Sequence, residues 1–212
     1  MKLKVIFLGL LFVIFNGIAN SQNAGELYTI SVGKSVGLED PKKFSPLLGY
    51  KVQFPESVSS SHILIDISLG VGLSKEVTQD EGKTLEEKMT QAIEDNDAFT
   101  MLKKYNPFRT IGGFYANKER TSIIVAATMP IKAFEEVELK GKNRVYFSDT
   151  GSNNFTIGAV KCFWVPPHDD NKYHSLIWHK NGVSYMIFPI EGKDFTADEA
   201  KNIAKKVMDV NK

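Results

Sequence analysis

The amino-acid sequence predicts an α+β fold, a mostly antiparallel sheet of about six to nine strands covered on one face by a middle helix and a C-terminal helix. Three observations carry this. Short segments alternating apolar and polar residues recur along the 212-residue chain between clusters of turn formers. Two Thr-x-x-Glu patterns, Thr84 with Glu87 and Thr196 with Glu199, each open an apolar stripe at helical spacing. Asn181-Gly182 stands between two apolar runs, which is the strongest short-range signal for a hairpin.

The chain begins with Lys2 and Lys4, an apolar run from Val5 to Ile14 extended through Ile18, and then Ala19-Asn20-Ser21. A basic segment, an apolar segment and a small-x-small site form a secretory signal, so residues 1–21 are expected to be removed. The run is about half of the ~20 apolar residues that a spanning helix needs. No stable membrane span is therefore expected once the signal is cleaved. Residues 22–212 follow without a repeat, a low-complexity tract or a Pro/Gly/Ser linker, and read as a single α+β domain.

Along that domain, residues 26–33 and Tyr50 to Phe54 read as short strands, the second stopped by Pro55. His62 to Leu69 reads as a half-buried strand with Ile63, Ile65, Ile67 and Leu69 on one side. Gly70-Val71-Gly72 reads as a turn. From Thr84, the spacing of Leu85, Met89, Ala92 and Ile93 predicts a helix continuing to about Tyr105, with Pro107 ending it. A meander is expected next, with strands at Thr110 to Ala116, Thr121 to Thr128, Phe134 to Leu139, Val145 to Ser148 and Thr156 to Val165. The two-residue loop at Asn181-Gly182 places Lys180 opposite Val183, His179 opposite Ser184, Trp178 opposite Tyr185 and Leu176 opposite Ile187. Thr196 and Glu199 then cap a last helix that buries Ala200, Ile203, Ala204, Val207 and Met208.

Composition narrows the function. The chain has 26 Lys and Arg against 25 Asp and Glu. Two of the lysines lie in the signal, so the remainder carries one more acid than base. That is no electrostatic footprint for nucleic acid, and no nucleic-acid partner is expected. The 14 Phe, 7 Tyr and 2 Trp supply a packed core. Cys162 is the single cysteine, which excludes an intramolecular disulfide and reads as a small buried hydrophobe.

The C-terminal stretch Leu176-Ile177-Trp178-His179-Lys180-Asn181-Gly182-Val183-Ser184-Tyr185, followed by Thr196-Ala197-Asp198-Glu199-Ala200 and a helix, resembles the end of domain-of-unknown-function family 4367. Leu48 to Pro55 resembles that family's opening strand. The resemblance implies an extracytoplasmic α+β domain and carries no active residues across. The order of strands, Lys83 to Glu87, Ile111-Gly112-Gly113-Phe114-Tyr115-Ala116, further strands and a last helix is also similar to envelope proteins related to PsbP and DcrB. Either resemblance implies a sheet with helices packed on it.

Chemistry-bearing patterns are sparse. His168-Asp169-Asp170, with His174 and His179 downstream, is the one cluster with ligand-type side chains, but the hairpin register sets His174 and His179 on opposite faces. His62 starts a strand without a sequence neighbour of its chemistry. No nucleophile elbow, phosphate-binding glycine loop or His-Glu-x-x-His helix is expected. The acids of residues 76–87 and Glu135-Glu136 read as solvated. Phe163 and Trp164 must point to opposite faces of one strand, and Trp164-Val165-Pro166-Pro167 is a candidate apolar patch. Asn154-Phe155-Thr156 matches a glycosylation sequon, which carries meaning only in a eukaryotic source.

No catalytic residue, cofactor or metal site is assigned from this sequence. The expected function is an exported, non-enzymatic cell-envelope binding or sensing module, secreted or periplasmic, whose partner is an envelope protein or a small apolar ligand. The alternative is a small extracytoplasmic hydrolase or ligand-carrying protein whose site is assembled from strand-borne residues that no linear motif exposes.

Overall fold

Residues 30–73, 84, 87–88, 91, 108–133, 154–167 and 172–212 are described by the computed structural model of the chain. Among them eight strands form one antiparallel sheet: β1 (Ile30–Gly37), β2 (Ile63–Leu73), β3 (Phe108–Ala116), β4 (Ile123–Pro130), β5 (Asn154–Ile157), β6 (Val160–Val165), β7 (Ser175–Lys180) and β8 (Val183–Glu191). Their order across the sheet is β1-β2-β3-β4-β8-β7-β6-β5. The sheet is thus two four-stranded meanders whose last strands, β4 and β8, pair with each other.

The β7–β8 hairpin shows how local chemistry sets register. Asn181 at φ 51 and Gly182 at φ 76 occupy the two left-handed positions of a type I′ turn, as the Asn-Gly pair requires. The pairs are those expected: Lys180 with Val183, His179 with Ser184, Trp178 with Tyr185 and Leu176 with Ile187. The indole of Trp178 stacks on the Tyr185 ring at 5.2 Å between centroids and 5° between planes. Trp178, Leu176, Tyr185 and Ile187 all enter the main core cluster.

That face is covered in part by the C-terminal helix, Ala197–Val210, which packs against β7 and β8. Thr196 Oγ1 accepts from the Glu199 amide at 3.2 Å and the Glu199 carboxylate accepts from the Thr196 amide at 2.8 Å, so two orphan donors are satisfied reciprocally. The expected stripe is the observed one, with Ala200, Ile203, Ala204, Val207 and Met208 buried. Those hydrogen bonds and the Lys193 ammonium hold the Glu199 carboxyl at about 2, against its usual 4.5. A depressed carboxyl pKa stabilises the fold above the unfolded value and loses that contribution as pH falls through the folded one. We therefore expect Thr196→Ala to cost about 1 kcal/mol in urea unfolding at pH 7. The stability gap between wild type and Glu199→Gln should close between pH 4.5 and pH 2.

Several expectations are corrected. The strand predicted at residues 26–33 runs from Ile30 to Gly37, and residues 26–29 lie outside the described residues. Tyr50 to Phe54 is no ladder strand. Its alternation is real, since Val52 and Phe54 are buried, but it pairs with no strand of the sheet. The Gln53 amide donates to Asn211 Oδ1 at 2.8 Å, and Asn211 Nδ2 donates to the Gln53 carbonyl at 2.9 Å and to the Val207 carbonyl at 2.7 Å. A side chain at the helix end therefore supplies the partners that a neighbouring strand would have supplied. The Tyr50 hydroxyl reaches Thr128 Oγ1 at 3.1 Å, and burial pushes its pKa up.

In β2 the isoleucines do not share one side. A register shift between Leu64 and Asp66 marks a bulge, which sends Ile65 to the second core cluster and leaves Ile67 in the first. Ile63 is left 58% exposed. Gly70-Val71-Gly72 continues β2 as strand and makes no turn. The run predicted as one strand from Thr156 to Val165 is two, because Gly158 at φ 60 turns the chain between β5 and β6. Residues 134–139 and 145–148 lie outside the described residues. Of the predicted middle helix, Thr84, Glu87, Lys88 and Gln91 are helical and exposed, and the rest of it lies outside the described residues.

The opposite face holds a second core cluster, with Phe114, Val125, Met129, Ile177 and Phe188 buried. Cys162 is fully buried, and burial pushes its thiol up to about 11, which fits an unreactive packing residue.

Candidate functional site

Three chain segments that are remote in sequence meet at one end of the sheet around a cleft of about 910 Å³. They are the turn before β2 (residues 59–62), the β3–β4 turn (residues 117–122) and the exit of β8 (residues 192–193). Each is fixed by its own hydrogen bonds.

In the first segment Ser59 Oγ accepts from the Ser61 amide at 3.2 Å and the His62 amide at 3.0 Å, a hydroxyl-capped turn that a serine-rich stretch favours. In the second, Asn117 does most of the ordering. Its carbonyl accepts from the Arg120 amide at 3.0 Å, its side-chain Oδ1 accepts from the Ser122 amide at 3.0 Å, and its Nδ2 donates to Thr121 Oγ1 at 2.9 Å. Arg120 follows the turn at φ 56, a left-handed position where glycine is the usual occupant. In the third, Gly192 sits at φ 98, so close to the second segment that a Cβ built on it would lie 2.9 Å from Ser122 Cβ and Oγ.

His62 joins the first two segments. Its Nε2 lies 3.0 Å from Ser122 Oγ, and its Nδ1 lies 3.1 Å from both Ser59 Oγ and Ser61 Oγ. Burial lowers the imidazole pKa from 6.5, which keeps the ring neutral at neutral pH. A serine hydroxyl has two acceptor sites and one donor. Two backbone amides already occupy the acceptor sites of Ser59, so its proton goes to His62 Nδ1 or to Ser61 Oγ, 3.3 Å away. Ser61 Oγ can equally accept from Nδ1 or donate to it, so the contacts at Nδ1 and at Ser122 fit either tautomer of the ring.

The exit of β8 is anchored from behind. Asp194 accepts from the His174 and Phe195 amides, each at 2.8 Å, and its other oxygen lies 2.6 Å from His174 Nδ1. The Tyr173 hydroxyl donates to the Gly192 carbonyl at 3.0 Å. The His174 ring stacks on Trp164 at 4.7 Å and 10°. Lys193, which lines the cleft, pairs with Glu199 at 3.0 Å and so ties this exit to the helix cap.

The structure separates the sequence candidates. His174 serves Asp194 and Trp164, whereas His179 lies 2.9 Å from Ser184 Oγ and contacts the Phe163 ring at 5.7 Å. The two histidines thus stand on opposite faces, and His168, Asp169 and Asp170 lie outside the described residues. No group of three potential metal ligands occurs among the described residues. Phe163 and Trp164 are each half-buried, attached to the second and the first core cluster respectively. Asn154 opens β5. Among the acids, Glu87 is exposed, and Glu135-Glu136 lies outside the described residues. His62 is the residue that sequence reasoning left without a role, because its neighbours Ser122 and Gly192 are distant in the chain.

One pattern corrects the expectation that no elbow spacing occurs. Gly33-Lys34-Ser35-Val36-Gly37 has that spacing, but it lies within β1 rather than at a strand-to-helix turn. Its serine is committed, since Ser35 Oγ donates to the carboxylate of Asp66 at 2.7 Å. Burial raises the Asp66 pKa while that hydrogen bond opposes the rise. Ser35 is a strand residue satisfying a buried acid and not an activated nucleophile.

No helix among the described residues is long and apolar enough to cross a membrane. Comparison of the chain with protein-family models, curated proteins and solved structures finds no match.

Proposed function

We propose that this protein is an exported, non-enzymatic cell-envelope module that binds its partner at the cleft bounded by residues 59–62, 117–122 and 192–193. The observation that carries the reading is the convergence of three separately braced segments on one cleft, lined by hydroxyls and charged side chains together with Ile63 and Ile65. A rigid, hydrogen-bonded frame presenting hydroxyl and cationic side chains needs little ordering when it binds, which favours recognition. Export rests on the signal-like residues 1–21, which lie outside the described residues.

The Ser122–His62 contact has the spacing of a nucleophile and its base, but His62 Nδ1 meets the hydroxyls of Ser59 and Ser61 where a charge-supported base would meet a carboxylate, and burial disfavours the imidazolium that such a base must become. The hydroxyls and charges that line the cleft stand beside Ile63 and Ile65, so the lining suits a partner that carries both polar and apolar groups.

Two measurements test this. Fractionation of cells expressing the full chain should place the protein outside the cytoplasm with residues 1–21 removed, and retention of an intact chain in the cytosol would overturn export. Treatment with a fluorophosphonate probe should leave Ser122 unlabelled. Labelling there, with Ser122 Oγ attacking phosphorus, fluoride leaving and His62 taking the proton, would replace the binding reading with the hydrolase one.

A further inference from the structure

The charges around the cleft are uneven. Lys118, Arg120 and Lys193 line it against one carboxylate, Glu119. Lys193 is engaged with Glu199, and Glu119 accepts from Asn117 Nδ2 at 3.3 Å. Lys118 and Arg120 have no ion-pair partner among the described residues, and both are exposed. Beside them stand the hydroxyls of Ser60, Ser61 and Ser122.

Arg120 is the most informative of these residues. It holds a left-handed backbone position, at φ 56, that a glycine would occupy without strain. Strain of this kind persists where the surrounding structure enforces it, and it gathers at binding sites. The turn closed by the Arg120 amide on the Asn117 carbonyl needs at its last position only a residue tolerant of positive φ, so turn geometry does not account for an arginine. A guanidinium that lines a cleft beside serine hydroxyls does have a chemical purpose, because its planar fork matches the oxygens of a phosphate.

We infer that the cleft binds a phosphate-bearing ligand, with Arg120 as the principal anion contact, Lys118 as a supporting charge and the Ser60, Ser61 and Ser122 hydroxyls as neutral donors. The inference rests on the binding reading above and names the partner's chemistry. The volume exceeds that of a lone phosphate, so the ligand carries a further group, and the open cleft leaves part of it in solvent. An alcohol phosphate meets both conditions, its carbon chain lying toward Ile63 and Ile65, whether free or as a lipid headgroup.

The test uses protein purified from cells expressing the full chain, titrated with sn-glycerol 3-phosphate and, separately, with vesicles of phosphatidylglycerol and of phosphatidylcholine. The expected result is saturable binding of glycerol phosphate or of phosphatidylglycerol vesicles, weakening as salt is raised, with little binding to phosphatidylcholine. Binding to the soluble phosphate identifies a free ligand, whereas binding to the anionic vesicles alone identifies a headgroup. Arg120→Gly is the decisive variant, because it relieves the backbone while deleting the guanidinium. Its Tm should rise by about 2–4 °C as its affinity falls at least about tenfold. Arg120→Lys keeps both the charge and the strained backbone, so it should bind with intermediate affinity and show no rise in Tm.

Absence of binding to every probe, or equal binding by wild type and Arg120→Gly, would overturn the inference. Neither result would bear on export, which the fractionation experiment decides independently. A chain that is exported yet indifferent to Arg120→Gly would keep the envelope reading and lose the phosphate.

Discussion

Trp178→Ala is expected to lower the free energy of unfolding by about 3–5 kcal/mol, the usual cost of truncating a buried tryptophan. Trp178 is 1% exposed and belongs to the fully buried side chains of the largest volume. It stands at the middle of β7, faces Tyr185 across the hairpin and Cys162 across the β6 pairing, and lies in the cluster that the C-terminal helix covers. Loss of the indole removes a stacked ring and buried apolar volume from the cluster that also holds Ile203 and Val207 of the covering helix. Urea unfolding monitored by circular dichroism gives the number. Trp178→Phe should recover much of the loss by refilling that space, and a cost below about 1 kcal/mol for the alanine would show that the covering helix is not packed there as described.

Gly192→Val is expected to cost about 2–4 kcal/mol and, unlike the tryptophan change, to disturb the cleft directly. A β-branched residue is strongly disfavoured at φ 98, and its Cβ would come 2.9 Å from Ser122 Cβ and Oγ. The strand exit or the β3–β4 turn must then move, and the His62–Ser122 contact opens. The readout that separates this from general instability is the His62 titration. Its pKa, lowered by burial in the wild type, should return toward 6.5 once the ring is more solvated. A variant that loses stability while its His62 still titrates low would show that the site does not depend on this close approach.

The parts of the fold legible in the sequence are those decided by neighbours in the chain. The Asn181-Gly182 turn sets the β7–β8 register within the hairpin itself, and the Thr196–Glu199 box fixes where the last helix begins and which stripe it buries. The errors arise where a distant partner decides. Val52 and Phe54 alternate as strand residues do, but only the position of Asn211 determines that the Gln53 backbone pairs with a side chain. The bulge beside Asp66 serves that residue's buried carboxylate and its link to Ser35, which no alternation pattern records. Gly158 lies inside a run of strand formers, and its turn shows only in the pairing of β5 with β6.

The cleft was less legible still. The β3–β4 turn was evident from Asn117-Lys118-Glu119, but the left-handed backbone of Arg120 was not, because arginine is a poor marker of such a position. His62, Ser122 and Gly192 belong to three segments that the sheet alone brings together, and Asp194 found His174 across the loop between β8 and the last helix. Pairings of this kind carry no spacing that a single sequence can display.

The joining of two meanders through β4 and β8 has a consequence for how the molecule acquires its structure. Among the described residues every other ladder links successive strands of the sheet, whereas β4 ends at Pro130 and its partner β8 begins at Val183. Closing that long loop costs entropy before any contact rewards it, so the central seam is expected to form last, between halves whose own strands are nearer to one another in the chain. Native-state hydrogen exchange should accordingly resolve two cooperative units that divide along the middle of the sheet rather than at either rim.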